Sequence, residues 1–246
     1  MLPFPSPLLS VVVAGSGAFN PTTLFSGGVA GGWWDPSDLS TLWKDTAGTS
    51  AVTSDGDAVA RIDDKSGNGN NLLQATLANR PLYKTSGGLS WLLFDGSNDY
   101  VRATFAMGTT WDRVMAWRDV SSAFPRQFFG GVSANECLYD GGAGSFIMFN
   151  GSANGPTMTS TTSDVVSTER WANPAPCQIA ADNGSYTSSP SIAAVNPGGL
   201  TVAASSSAGD FTGIRWYGGV MINKALTGTE ISGCRTFFGA KQGRVL

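Results

Sequence analysis

The chemistry open to this chain is bounded first by a missing residue type. None of its 246 residues is histidine, which excludes Ser-His-Asp and Cys-His nucleophile systems, histidine metal sites and histidine-based pH switching. Cys137, Cys177 and Cys234 are odd in number and widely spaced, with no CxxC pair for zinc or redox work. Buried free thiols in a reducing compartment are the expectation. Glycoside hydrolysis needs two carboxylates about 5–10 Å apart across the scissile bond. Glu136, Glu169 and Glu230 do not alternate along one strand, as the period-2 pleat would need to aim them into one cleft, and Asp112 and Asp119 are too far apart along a strand. No enzymatic activity is expected from this pattern.

Sugar binding is the alternative chemistry. Aromatic faces stack on the apolar faces of sugars, and Asp and Asn side chains bond hydroxyls or coordinate calcium. Of eight tryptophans, Trp91 and Trp216 fall inside strand-like runs and read as core. Trp111, beside Asp112, and Trp171, close to Asn173 and Pro174, read as exposed loop platforms, so Trp111, Trp171 and Asn173 are the candidate glycan contacts. Asp95, Asn98 and Asp99 could furnish part of a calcium site, against the alternative that Asx residues satisfy the backbone of their own turn. No other cofactor is expected. Asn68-Gly69-Asn70-Asn71 matches neither GxxxxGK[ST] nor GxGxxG, and no helix signal follows it, which excludes nucleotide binding.

The elements that must position these residues are short strands. Gly 32 and Pro 12 far exceed ordinary usage, and Val, Phe and Trp fill the longer apolar runs. Strand candidates at 90–94, 100–101, 114–117, 127–132, 146–149, 178–181, 200–204 and 211–221 are separated by Gly, Asn, Ser and Pro clusters. That spacing fits an all-β antiparallel sandwich and not a βαβ fold, which would need amphipathic helices between strands. A short helix is expected over 35–43, capped by Asp35 with Pro36 in its first turn. A second closes the chain: Thr227 and Glu230 form a capping box, and Ile231, Cys234, Phe237 and Phe238 share one stripe. Residues 1–32 carry no charge and begin with Pro3, Pro5 and Pro7. Prolines favour extended backbone, so 1–32 is expected to be an arm that lies either on its own domain or on a partner, with Pro3, Phe4, Pro5, Leu8, Leu9, Phe19 and Phe25 as the partner contacts and 33–246 as the sandwich domain. Fifteen Lys and Arg against eighteen Asp and Glu leave a net charge of −3, without a basic footprint for nucleic acid. No stretch reaches the about 18 apolar residues of a membrane span. The first cation is Lys44, so the apolar patch 8–14 lacks the basic flank of a secretory signal, and no leader is expected.

Several stretches resemble proteins of tailed bacteriophages and prophages that carry a concanavalin A-like (laminin G-like) lectin/glucanase domain. They are 34–42, starting Trp34-Asp35-Pro36; 64–70, with Ser66-Gly67-Asn68-Gly69-Asn70; 80–83, Arg80-Pro81-Leu82-Tyr83; and 93–100, with Asp95-Gly96-Ser97-Asn98-Asp99-Tyr100. The strand Gly213-Ile214-Arg215-Trp216-Tyr217-Gly218, then Leu226-Thr227 and the closing helix, extend the likeness to about Gly243. The middle third contributes little. The resemblance implies a jelly-roll sandwich of two antiparallel sheets with an extended arm and a short C-terminal helix. It further implies a virion protein, made in the host cytoplasm and displayed on capsid or tail through contacts with other virion proteins. A homo-oligomer is implied too, a trimer being a common arrangement, and a host surface glycan is the alternative partner.

Overall fold

The computed structural model describes residues 18–121, 126–142 and 144–246. In chain order the strands are β1 (Gly31–Trp34), β2 (Leu42–Trp43), β3 (Arg61–Ile62), β4 (Leu72–Leu73), β5 (Leu82–Ser86), β6 (Leu89–Asp95), β7 (Val101–Thr104), β8 (Trp111–Asp119), β9 (Arg126–Gly130), β10 (Glu136–Asp140), β11 (Ser145–Asn150), β12 (Asn154–Thr159), β13 (Asp164–Trp171), β14 (Cys177–Ala181), β15 (Thr187–Ser189), β16 (Gly199–Val202) and β17 (Gly213–Ile222). One helix, α1 (Gly228–Lys241), follows. The strands form two sheets, a concanavalin A-like jelly-roll sandwich. The back sheet runs β15-β14-β13-β8-β17-β6-β5, with β1 paired to β17 off that path, and the front sheet runs β12-β11-β10-β9-β16-β7-β4-β3-β2. Every pairing is antiparallel.

The two sheets bury their faces differently, and the residue alternation shows how. Along β8, Trp111, Met115 and Trp117 point between the sheets, while Val114 and Ala116 belong to a second apolar cluster on the back. A strand buried on both faces reads as continuously apolar. Between the sheets Trp117 meets Phe128 and Phe146 at ring-centroid distances of 4.4 and 5.0 Å. On the back, α1 packs across β8, β13 and β17, laying Ile231, Cys234 and Phe238 against Val166, Val220 and Ile222. The expected capping box is formed: the Thr227 hydroxyl accepts from the Glu230 N–H at 3.3 Å, and the Glu230 carboxylate accepts from the Thr227 N–H at 2.8 Å.

Three expectations are corrected. Pro3, Phe4, Pro5, Leu8 and Leu9 lie outside the described residues, but the rest of the supposed arm belongs to the sandwich. Phe25 is buried with Leu24 in the back cluster, and Phe19 lies so close over Gly233 that a Cβ there would come within 2.4 Å of its ring. These two aromatics serve their own domain, and a boundary at 32/33 cuts through β1, which pairs Gly31 with Ile222 and Trp34 with Gly219. The helix over 35–43 is a turn, a 3-10 segment Leu39–Thr41 and β2, because Asp35 and Asp38 spend their carboxylates on the N–H groups of Ser37 and Ser40, closing short turns instead of capping a longer helix. The third concerns Trp111 and Trp171, whose surroundings are described with the site.

Candidate functional site on the front sheet

The front sheet carries no helix on its outer face among the described residues. In β10 and β11, Leu138, Phe146 and Met148 point into the core, so the residues between them, Tyr139, Ile147 and Phe149, face outward by the period-2 rule. Tyr139 and Phe149 meet edge to face at 5.9 Å and, with Gln127 and the buried Cys137, line a cleft of about 230 Å³. The loop from Ala203 to Phe211 crosses the middle of this face. It is strapped down where the Gln127 N–H donates to the Asp210 carbonyl at 2.9 Å, and where Arg102 donates to the carbonyls of Ser205 and Ser206 at 3.3 and 2.8 Å. Beyond the loop lies a second cleft of about 610 Å³, lined by Asn70, Asn71, Leu73, Gln74, Tyr100 and Arg102 among others. Tyr100 packs on Phe211 at 6.3 Å, and the Arg102 guanidinium sits 5.5 Å from the Tyr100 ring. Aromatic rings, amides and one guanidinium on an uncovered sheet are the groups that bind polyhydroxylated ligands.

A third cleft, of about 550 Å³, opens at one end of the sandwich over Asp119, Arg126 and Asp140. Arg126 Nη2 donates to Asp140 at 2.7 Å and is ion-paired with Asp119 at 2.8 Å, so the two oxygens are at most about 5.5 Å apart. Their other oxygens close local turns, accepting from the N–H groups of Ser121 and Gly142. Burial pushes the Asp119 carboxyl above its ordinary range, against its hydrogen bonds from Ser121 and the charge of Arg126. A fourth cleft, of about 450 Å³, lies by Phe19, Trp33 and Phe237, and its two lysines, Lys65 and Lys241, stand 3.9 and 2.8 Å from Asp35.

The residues expected from the sequence to bind lie elsewhere. Trp111 and Trp171 are fully buried at paired positions of β8 and β13, not on loops, and stack on each other. They are corrected from glycan platforms to core. Asn173 is exposed, with its amide donating to the Ala194 carbonyl at 3.2 Å, and is not brought to the front face. Asp95, Asn98 and Asp99 form a self-satisfied turn: Asp95 accepts from the N–H groups of Ser97 and Asn98, and Asp99 from that of Asp95. Burial and the neighbouring Asp95 push the Asp99 carboxyl up to about 6. Among the described residues no group of three or more acidic or cysteine side chains is placed to hold a metal ion. The front-face residues were missed, although β11 held a signal: Phe146, Ile147, Met148 and Phe149 are apolar toward both faces of a strand that is covered on only one.

Neither a family model nor a curated protein sequence matches the chain. Solved structures do match in fold. A GH54 α-L-arabinofuranosidase soaked with a cyclic sulfate inhibitor superposes with a TM-score of 0.55 at 14% identity, over 75% of this chain and 51% of that one. The Trypanosoma rangeli sialidase in complex with the inhibitor DANA gives 0.55 at 14% identity, over 83% and 36%. The binding domain of Paraclostridial Mosquitocidal Protein 1 gives 0.54 at 10% identity, over 83% and 53%. The chain thus spans about half the length of the arabinofuranosidase it matches. These likenesses correct two expectations, a virion structural protein and a chain without enzymatic activity: the fold is shared with an arabinofuranosidase and a sialidase.

Proposed function

We propose that the chain is a carbohydrate-active protein that recognises glycan across the outer face of its front sheet. One observation carries this reading. The back sheet is sealed by α1 and by residues 19–25, whereas the front sheet leaves Tyr100, Tyr139 and Phe149 half-buried in open clefts beside amide side chains. Half-buried aromatics fixed by packing lose little freedom on binding, which suits them to stack on sugar rings. The glycosidases that share the fold support the ligand class. Tyr139→Ala and Phe149→Ala should each weaken glycan binding about tenfold, the scale of one aromatic contact of about 1–1.5 kcal/mol, measured by calorimetry on ligands found with a glycan array. Uniformly blank arrays with folded protein would end this reading.

A second reading, glycoside hydrolysis, is favoured by the pair Asp119 and Asp140, whose oxygens at Arg126 are at most about 5.5 Å apart, a bound that admits the about 5–5.5 Å spacing of retaining enzymes. Asp119, pushed up by burial, would serve as the acid and Asp140 as the nucleophile. Release of reducing sugar from arabinan or sialylated glycans, lost in both Asp119→Asn and Asp140→Asn, is the result it requires.

A further inference from the structure

Arg102 is unusual among the cations that line the clefts. In the end cleft Arg126 is held between two carboxylates, and in the cleft by Phe19 both lysines reach Asp35. Arg102 makes no ion pair among the described residues, and no carboxylate lines its cleft. It is nonetheless fixed. Its Nε donates to the Thr201 hydroxyl at 3.1 Å, its Nη2 donates to the carbonyls of Ser205 and Ser206, and its guanidinium lies against Tyr100. All these acceptors are neutral, and Nη1 has no partner among the described residues. A half-buried guanidinium held by neutral groups with one nitrogen left over is preorganised for an anion, because its ordering cost is already met within the fold.

We propose that the larger front-face cleft binds a saccharide bearing a carboxylate, such as a uronic or sialic acid unit. Arg102 takes the carboxylate through Nη1, Tyr100 lies under the sugar, and Asn70, whose Nδ2 donates to the Gly31 carbonyl, lines the same cleft with its amide oxygen for a hydroxyl. The inference rests on the glycan-binding reading of the front sheet and adds the charge of the ligand to it. Leu73 gives the means to test it. It is exposed, lines the cleft, and is the cross-strand partner of Arg102 in the β4–β7 pair. A glutamate there would set a carboxylate beside the guanidinium without removing any of its hydrogen bonds.

The experiment compares oligogalacturonate and sialyllactose with neutral galacto-oligosaccharide and lactose by calorimetry at low and high salt. The unsubstituted protein should bind at least one of the acidic sugars about tenfold or more tighter than its neutral counterpart, with the preference shrinking in salt. Arg102→Gln should abolish the preference, and Leu73→Glu should abolish it with thermal stability unchanged. Equal binding of acidic and neutral sugars, or a preference that survives Leu73→Glu, overturns the inference and leaves the glycan-binding reading intact. Binding of no saccharide by folded protein overturns both.

Discussion

Trp111 and Trp171 lie face to face inside the sandwich, their ring centroids 5.1 Å apart and their planes within 14° of parallel. They are directly paired residues of the adjacent strands β8 and β13. The Trp171 indole N–H donates to Glu169 at 3.3 Å and that of Trp111 to the Val195 carbonyl at 3.4 Å, so each ring is both packed and hydrogen-bonded. Trp171→Ala should therefore destabilise the fold by about 3–5 kcal/mol, read from urea unfolding. Glycan affinity per folded molecule should stay the same. A loss of affinity without loss of stability would return Trp171 to the binding surface.

Beneath this stack runs a buried ion pair that no surface argument accounts for. Arg113 donates from Nε and Nη2 to Glu169 at 3.2 and 2.5 Å, and both side chains are fully buried. Removing one partner strands the other charge in a medium that solvates it poorly, at a cost of about 3–5 kcal/mol, whereas replacing both by apolar residues is often near neutral. Glu169→Leu should thus unfold the protein much more readily than the double change Arg113→Leu with Glu169→Leu. A double-mutant cycle on unfolding free energies checks this ordering. Equal costs for single and double variants would mean that the pair contributes only through its packing.

These two features mark what the sequence conceals. The strands 90–94, 146–149 and 211–221 and the capped helix at Thr227 are legible because alternation and capping are local signals. Strand β13 is not: Ser167, Thr168, Glu169 and Arg170 interrupt its apolar run. Each of the last three is paired across space, with Arg235, Arg113 and Asp112 respectively. Polarity that reads as a loop is here a buried network. Trp111 and Trp171 were misplaced for a related reason, since Asp112, Asn173 and Pro174 lent them a solvent-facing look. The front face was hidden because Tyr100, Arg102, Tyr139 and Phe149 come from three strands and a turn whose adjacency depends on sheet order, not on spacing.

Glu136 supplies a pH dependence. Its side chain is buried, one oxygen accepts from the Val195 N–H, and the other has no partner among the described residues. Burial pushes its carboxyl up to about 8 against the opposing effects of that hydrogen bond and Arg113, while the ordinary value is 4.5. Between these values the unfolded chain binds fewer protons at this group than the folded one, so stability falls as pH rises from about 4.5 through 8. Asp99, raised to about 6, adds to the same fall at its lower end. Glu136→Gln should flatten the decline between pH 6 and 8 and raise the melting temperature at pH 8. An unchanged slope in the variant would assign the decline to other groups.

The thiols give a final expectation. Cys137 is fully buried although it lines the small front cleft, and burial pushes its thiol up to about 12. Burial also raises Cys177 and Cys234, the latter on the buried face of α1 with Glu230 and Asp112 adding to the shift. Nucleophilic attack on a disulfide reagent needs both thiolate and access, and none of the three thiols has either in the folded protein. At pH 8 the native protein should leave an aromatic disulfide reagent unreacted over minutes, and all three thiols should react once the chain is unfolded in guanidinium. A single thiol reacting quickly in the native state, and slowed by saturating glycan, would mean that the cleft opens to Cys137 in solution and that ligand closes it.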